Sequence, residues 1–310
     1  MSQIIGRNCV ESVRNIGGES CTVEPGMKKG HIQVPKGWNL DISVTPFTKT
    51  YVESQVQLGN FRMLGNAFTV TSETPDPTTE ESPSKQIAVA ALAFPMVTSI
   101  YKTGWEFHQS LYTQSGHDKY DIIEVYEDGS VKVVLQPDNK TIKGFACGMY
   151  QVFPYQDANG TIKAQTTLKY QLIDNYEINV LGTFLTQLDF NPISEINNIV
   201  DVLLEGIADV SLNKIYVSAK WSRNQQVALT GFASANLRLT LIVAGIETTD
   251  VIVGAVPYVD GKYVITPTTT IAASGQKWKV YLTDATVPTD TAKVLNKYYQ
   301  GETAEIQPVA

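Results

Sequence analysis

Three dipeptides constrain this chain more than anything else in it. They are Asp128-Gly129, Asn159-Gly160 and Asp260-Gly261, each set between runs rich in Val, Ile, Tyr and Thr. Asp, Asn and Gly tolerate the positive backbone angles of a two-residue hairpin turn, and β-branched and aromatic residues suit the pleated surface on either side. Three antiparallel hairpins are therefore expected: 120–127 with 130–135, 144–155 with 161–173, and Tyr258-Val259 with 262–265. Residues 167–172 (TLKYQL) and 236–241 (NLRLTL) alternate strictly, which buries one strand face and leaves the other wet. The chain reads as mainly β.

Helical patterning is confined to two places. Ile196, Ile199, Val200, Leu203 and Leu204 fall at i, i+3, i+4, i+7 and i+8, between Asn191-Pro192 as a start and Gly206 as a stop. That spacing makes one apolar stripe and predicts a helix. A shorter helix is expected over 104–114, where Trp105, Phe107, His108, Leu111 and Tyr112 gather most of their bulk on one side.

The expected boundary falls after the first of these helices, giving domains 1–206 and 207–310. Beyond it come seven β-forming runs: 210–217, 226–232, 237–243, 251–258, 262–266, 269–272 and 277–283. Strands at this spacing over about 100 residues suggest an immunoglobulin-like β-sandwich. No cysteine lies beyond Cys147, so the disulfide of antibody domains is absent, and Trp221 and Trp278 read as ordinary packing residues. The charge divides unevenly at that boundary: 15 basic and 23 acidic residues before it, 9 basic and 8 acidic after it.

One segment departs from the β pattern. Residues 72–84 (SETPDPTTEESPS) hold three prolines, four acids (Glu73, Asp76, Glu80, Glu81) and no large apolar side chain. The expectation is a long exposed loop that forms no core. Loops of that length in compact domains are often functional, and these four acids are the candidate assembly residues.

Composition excludes several classes. A formal charge of −7 argues against a protein whose main task is gripping phosphates. Three cysteines (Cys9, Cys21, Cys147) and three histidines are too few for a disulfide scaffold or a zinc ribbon. The longest apolar run, 87–97, is interrupted by Pro95 and falls short of a membrane span. The start, MSQIIGRNC, lacks the basic and then apolar pattern of a secretory signal, so a cytoplasmic site of synthesis and assembly is expected, with reduced thiols.

No constellation for catalysis emerges. His31, His108 and His117 stand in no HExxH or similar pair, and read as surface or partly buried histidines. Gly-x-Ser-x-Gly, GxxxxGK[ST] and GxGxxG do not occur. Cys147, in Gly144-Phe145-Ala146-Cys147-Gly148, reads as a small buried filler before it reads as a nucleophile. Asp118, Asp121 and Glu124 fit a glycosidase pair on residue type alone, and acids beside hairpins are commonplace. Tyr298 and Tyr299 are candidates for an exposed contact. No catalytic residue, metal or cofactor is expected.

What remains is a structural or interaction protein. A β-rich domain has sheet edges that must be paired, covered or charged, and a head-to-tail ring of identical copies pairs them all. The order in the middle of the chain points the same way: a short helix at 105–114, the hairpin DIIEVYEDGSV at 121–131, Lys143-Gly144-Phe145, a strand, a turn at Asn159-Gly160, and a strand at 165–173. This order resembles virion structural proteins of tailed phages, especially those infecting Bacteroidetes bacteria, including crAss-like phages. It is also similar to the tail-tube module, over roughly residues 30–205.

The resemblance implies a tail-tube-like β-sandwich or half-barrel with one or two flanking helices, followed by an immunoglobulin-like domain on the outside of the tube. It implies a homo-oligomeric ring or stack of rings in the virion, other tail or connector proteins as partners, and DNA passing without tight binding. No membrane, cofactor or active site is implied. Residues 1–30 have no counterpart in the module, and the same module builds tail terminators and connectors as well as tubes. The alternatives are a capsid decoration or head-fibre protein, a glycan-binding β-sandwich adhesin and, from another class, an enzyme.

Overall fold

The structure, a computed structural model, describes residues 3–5, 26–74, 79–82, 85–88, 94–186, 188–222, 224–283, 291–294 and 297–309. The chain is mainly β with few helices, and it divides into two compact units, 1–196 and 197–310.

The first unit is organised around the strand Tyr120–Tyr126. On one side it pairs along its whole length with Lys28–Pro35. Its other side is shared: Glu124 and Val125 pair with Lys132 and Val131, while Asp121 and Ile122 pair with Ala146 and Phe145. The sheet therefore forks at this strand. One branch runs through Val131–Leu135 and Gly182–Thr186 to Gln3–Ile5. The other runs through Phe145–Val152, Thr166–Leu172 and Met96–Tyr101 to Thr69–Glu73. Between the branches lies a core that includes Val97, Ile122, Val134, Phe145, Tyr150, Leu168 and Tyr170.

Two of the expected hairpins lie in this unit, and their turns differ. At Asp128-Gly129 only the glycine takes a positive φ (83°), and the Asp128 carboxylate accepts hydrogen bonds from both Ser130 N (2.9 Å) and Ser130 Oγ (2.6 Å). The second hairpin pairs as expected, with alternate residues of Thr166–Leu172 buried. Its strands, however, end at Val152 and resume at Thr166. Asn159-Gly160 thus sits in a longer connection, where the Asn159 side chain accepts from the backbone N–H of Thr161 and Ile162.

The expected short helix is present as Trp105–Tyr112. A second helix, Lys49–Gln57, was not legible, because its sequence KTYVESQVQ carries only Val52 and Val56 as buried anchors. It starts at Thr48, whose hydroxyl accepts from Tyr51 N. It is held by aromatic packing: Tyr51 lies 6.2 Å from Phe61 and 6.3 Å from Phe47, ring centre to ring centre.

The helix expected at 196–204 is not formed. Asn191 and Pro192 do start a helix, but it lasts only Pro192–Glu195. Ile199–Asp209 is instead an extended strand with Val202, Leu204 and Ala208 buried on one face. The reason is pairing. The strand joins Lys214–Trp221 over eight residue pairs on one side, and on the other it pairs in parallel with Lys297–Gln300 and Pro308–Val309. Residue 206 lies inside this strand, so the division falls at 196/197 and not at 206/207.

The second unit is a two-sheet sandwich. One sheet runs Tyr258–Val259, Lys262–Ile265, Lys214–Trp221, Ile199–Asp209, Lys297–Gln300, Thr291–Val294. The other holds Ile246–Asp250, Leu237–Val243 and Gln276–Leu282. Ile215, Val217 and Ile265 from the first meet Leu239, Trp278 and Val280 from the second in one core. The third hairpin is formed, with Asp260 (φ 50°) and Gly261 (φ 79°) both in the left-handed region that such a turn requires. The runs at 251–258 and 269–272 lie outside strands except for Tyr258, and Ile246–Asp250 takes the edge position instead. Among the described residues no helix is long and apolar enough to cross a membrane.

Candidate functional site

The acids singled out in the sequence lie at an open border of the first unit. Thr69–Glu73 is the last strand of its branch and pairs only with Met96–Tyr101 among the described residues, from Thr69 opposite Ile100 to Glu73 opposite Met96. Thr69, Thr71, Ser72 and Glu73 are exposed and Val70 is half-buried, so neither face is sealed. An edge of this kind offers unpaired N–H and C=O groups to another strand.

Inside this ladder in the sequence lies a second one. Thr79–Ser82 pairs with Lys85–Ala88, and only two residues separate the strands. The expected loop at 72–84 is thus corrected: Ser72 and Glu73 end one strand, and 79–82 form another. Lack of apolar side chains excludes a core but not backbone pairing, and Thr suits a pleated strand. Glu73 ends the edge strand, Glu80 and Glu81 stand opposite Ile87 and Gln86, and Asp76 lies outside the described residues.

Most of the titratable residues considered for chemistry are held in place by neighbours. His31 is fully buried in Lys28–Pro35, with Nε2 sharing a hydrogen bond with the Tyr150 hydroxyl at 2.9 Å. Desolvation, aided by the Lys28 charge, lowers its pKa to about 3, so it is neutral. Burial pushes the Cys147 thiol up to about 12, and its Sγ donates to Met149 O, so it fills space as a thiol. Asp118 pairs with Lys36 at the surface, and Asp121 accepts from Gly37 N at 2.9 Å. Glu124 pairs with Lys28 and accepts from the Tyr126 hydroxyl. His117 is exposed. Among the described residues no group of three or more His, Cys, Asp or Glu is placed to hold a metal ion.

An aromatic surface went unread in the sequence. His108 is buried on the Trp105–Tyr112 helix, stacked on Trp105 at 5.3 Å and flanked by Tyr112 and Tyr155. Trp105 and Tyr112 remain about half exposed, at 51% and 55%. The i, i+3, i+7 spacing of residues 105, 108 and 112 was the available signal, but Tyr155 arrives from another strand connection. Tyr299, expected as an exposed contact, is instead partly buried in the second unit, edge-on to Phe232 at 5.4 Å. The side chain of Tyr298 lies outside the described ones.

Compared with known proteins, the chain matches no family model, no curated protein and no solved structure.

Proposed function

We propose that the chain is a structural subunit of a tailed-phage virion that assembles with copies of itself into a ring or tube, a conduit through which DNA passes. The observation that carries this reading is the open edge strand Thr69–Glu73, exposed on both faces and continuous in sequence with a second hairpin. Such an edge is a hazard in a free monomer and an asset in a ring, where a neighbour's strand completes the sheet. Residues 1–196 carry 15 basic and 21 acidic residues, and a wall of that sign repels the DNA phosphates. Electron microscopy of the purified protein over a concentration series tests it. Rings or tubes are the expected result; a monomer at every concentration rejects the reading.

A second reading has its own observation. The exposed rings of Trp105 and Tyr112 beside Tyr155 suit stacking on the apolar face of a sugar, which favours a decoration protein that binds glycans. A glycan array separates the two: Trp105→Ala removes binding in this case and leaves assembly intact in the other.

A further inference from the structure

A cavity of about 270 Å³ in the first unit has a charge balance opposite to that of the unit around it. Lys28, Glu124, Tyr126, Lys132, Asn175 and Thr74 contribute to its walls. Its one carboxylate is already engaged at both oxygens: Oε1 of Glu124 pairs with Lys28, and Oε2 accepts from the Tyr126 hydroxyl at 3.1 Å. Two lysines, Lys28 and Lys132, which stands opposite Glu124 across the strand pair, thus share one carboxylate, and the cavity keeps a net positive charge.

Lys132 is half-buried and has no carboxylate within ion-pair distance among the described residues. Its ammonium lies 5.5 Å from the Phe145 ring centre and 5.9 Å from that of Phe184, contacts that tolerate a cation without neutralising it. Burial lowers its pKa, an effect that the neighbouring Glu124 charge offsets only in part. In the same cavity wall the Nδ2 of Asn175 is buried without a hydrogen-bond partner. A buried donor left unmade is expensive, and one such donor in a cavity that also carries a surplus cation describes a receptor for an anion.

We propose that this cavity receives a carboxylate, and that on assembly the occupant is a glutamate of the 79–82 strand, Glu80 or Glu81, from a second copy of the chain. The inference rests on the ring reading and names its contact. Segment 72–84 carries four acids and no base, and its first residues lie at the cavity's own rim, which Ser72, Thr74 and Pro95 help to form. An acidic arm that starts beside one cationic cavity and reaches the same cavity on the next copy is a head-to-tail contact, the kind that closes rings.

Zero-length crosslinking tests this. Isotope-labelled and unlabelled protein are mixed, allowed to assemble, and treated with a water-soluble carbodiimide, which joins a carboxylate to an amine only in direct contact. Mass spectrometry is expected to find mixed-isotope links between Lys132 and the peptide holding Glu80 and Glu81. Lys132→Gln and Glu80→Gln/Glu81→Gln are each expected to raise the concentration needed for assembly about tenfold. Asn175→Asp, which turns a donor into a repelling charge, is expected to raise it further, with thermal unfolding of each variant checked for an intact fold. Rings that form without the link, and with Lys132→Gln assembling like the parent, overturn the inference and leave the ring reading standing. A parent that stays monomeric overturns both. Acetate that shifts the Lys132 and Asn175 resonances, in a protein whose rings lack the link, assigns the cavity to a free small carboxylate and likewise overturns the arm as occupant.

Discussion

His31 shows how much a single residue's surroundings decide and how little its neighbours in sequence reveal. Nothing in Gly30-His31-Ile32 says that the imidazole will lie between Tyr150 and Tyr170, with ring centres 5.6 and 5.0 Å away. Those partners come from strands more than 100 residues later. Cys147 was legible as a buried filler because a lone small thiol in a β run has one common use. The His31 environment has a consequence for pH. Its pKa falls from 6.5 to about 3 on folding, so between those values the unfolded chain binds the proton and the folded one does not. The His31 contribution is fully present above pH 6.5 and is lost progressively as the pH falls toward 3. Urea midpoints measured from pH 7 to 4 are expected to drop less steeply in His31→Gln than in the parent. Gly30 carries a steric demand of the same origin. A Cβ there would run into the carbonyl of Leu64, the last residue of the strand that pairs beside it, and sit 2.8 Å from Gly65 Cα. Gly30→Ala is expected to cost about 2 kcal/mol or more, read from chemical denaturation.

At the scale of elements, the hairpins were legible and the strand at 199–209 was not, for one physical reason. A turn such as Asp260-Gly261 is fixed by backbone angles that few residues adopt, so its signal is local. The choice between helix and strand at 196–209 is made by partners. Ile196, Ile199, Val200, Leu203 and Leu204 fit a helical stripe, yet the period-2 face Val202, Leu204, Gly206, Ala208 is the one that packs. That face was hidden because Gly206 and Ala208 are small: Ile306 presses on Gly206, where any Cβ would collide with it. The acidic segment 72–84 shows the converse, a stretch without apolar residues that still pairs as strand at both ends. Its edge strand gives the element's own prediction. Thr69 and Thr71 are exposed and point to the same side of Thr69–Glu73, so Thr69→Lys/Thr71→Lys adds two charges without touching the core. The variant is expected to unfold within about 0.5 kcal/mol of the parent and to fail to assemble under the electron microscope.

For the whole molecule, two units were legible from the chain's length and from the change of pattern along it, but their border was not, and the border changes what the charges mean. Moving it from 206 to 196 transfers Asp201 and Glu205 to the second unit, so the totals become −6 and −1 instead of −8 and +1. The first unit still holds most of the negative charge, though the contrast is milder. Each unit has its own core, and the second is closed by the end of the described chain. Ile306 is buried, and its backbone exchanges hydrogen bonds with Trp278 at 3.0 and 2.7 Å, an antiparallel bridge beside the strand Gln276–Leu282. Trp278 is itself wholly buried against Val280 and Leu239, so this bridge ties the last residues to the centre of the core. Removing the Ile306 side chain leaves a void that the surrounding strands, fixed by pairing on both sides, cannot collapse to fill. Ile306→Ala is therefore expected to destabilise residues 197–310 by about 2–5 kcal/mol. Each unit has a core of its own, so residues 1–196 should keep their unfolding midpoint. Hydrogen exchange read separately for each unit checks this: faster exchange in both units would mean that the two cores unfold as one.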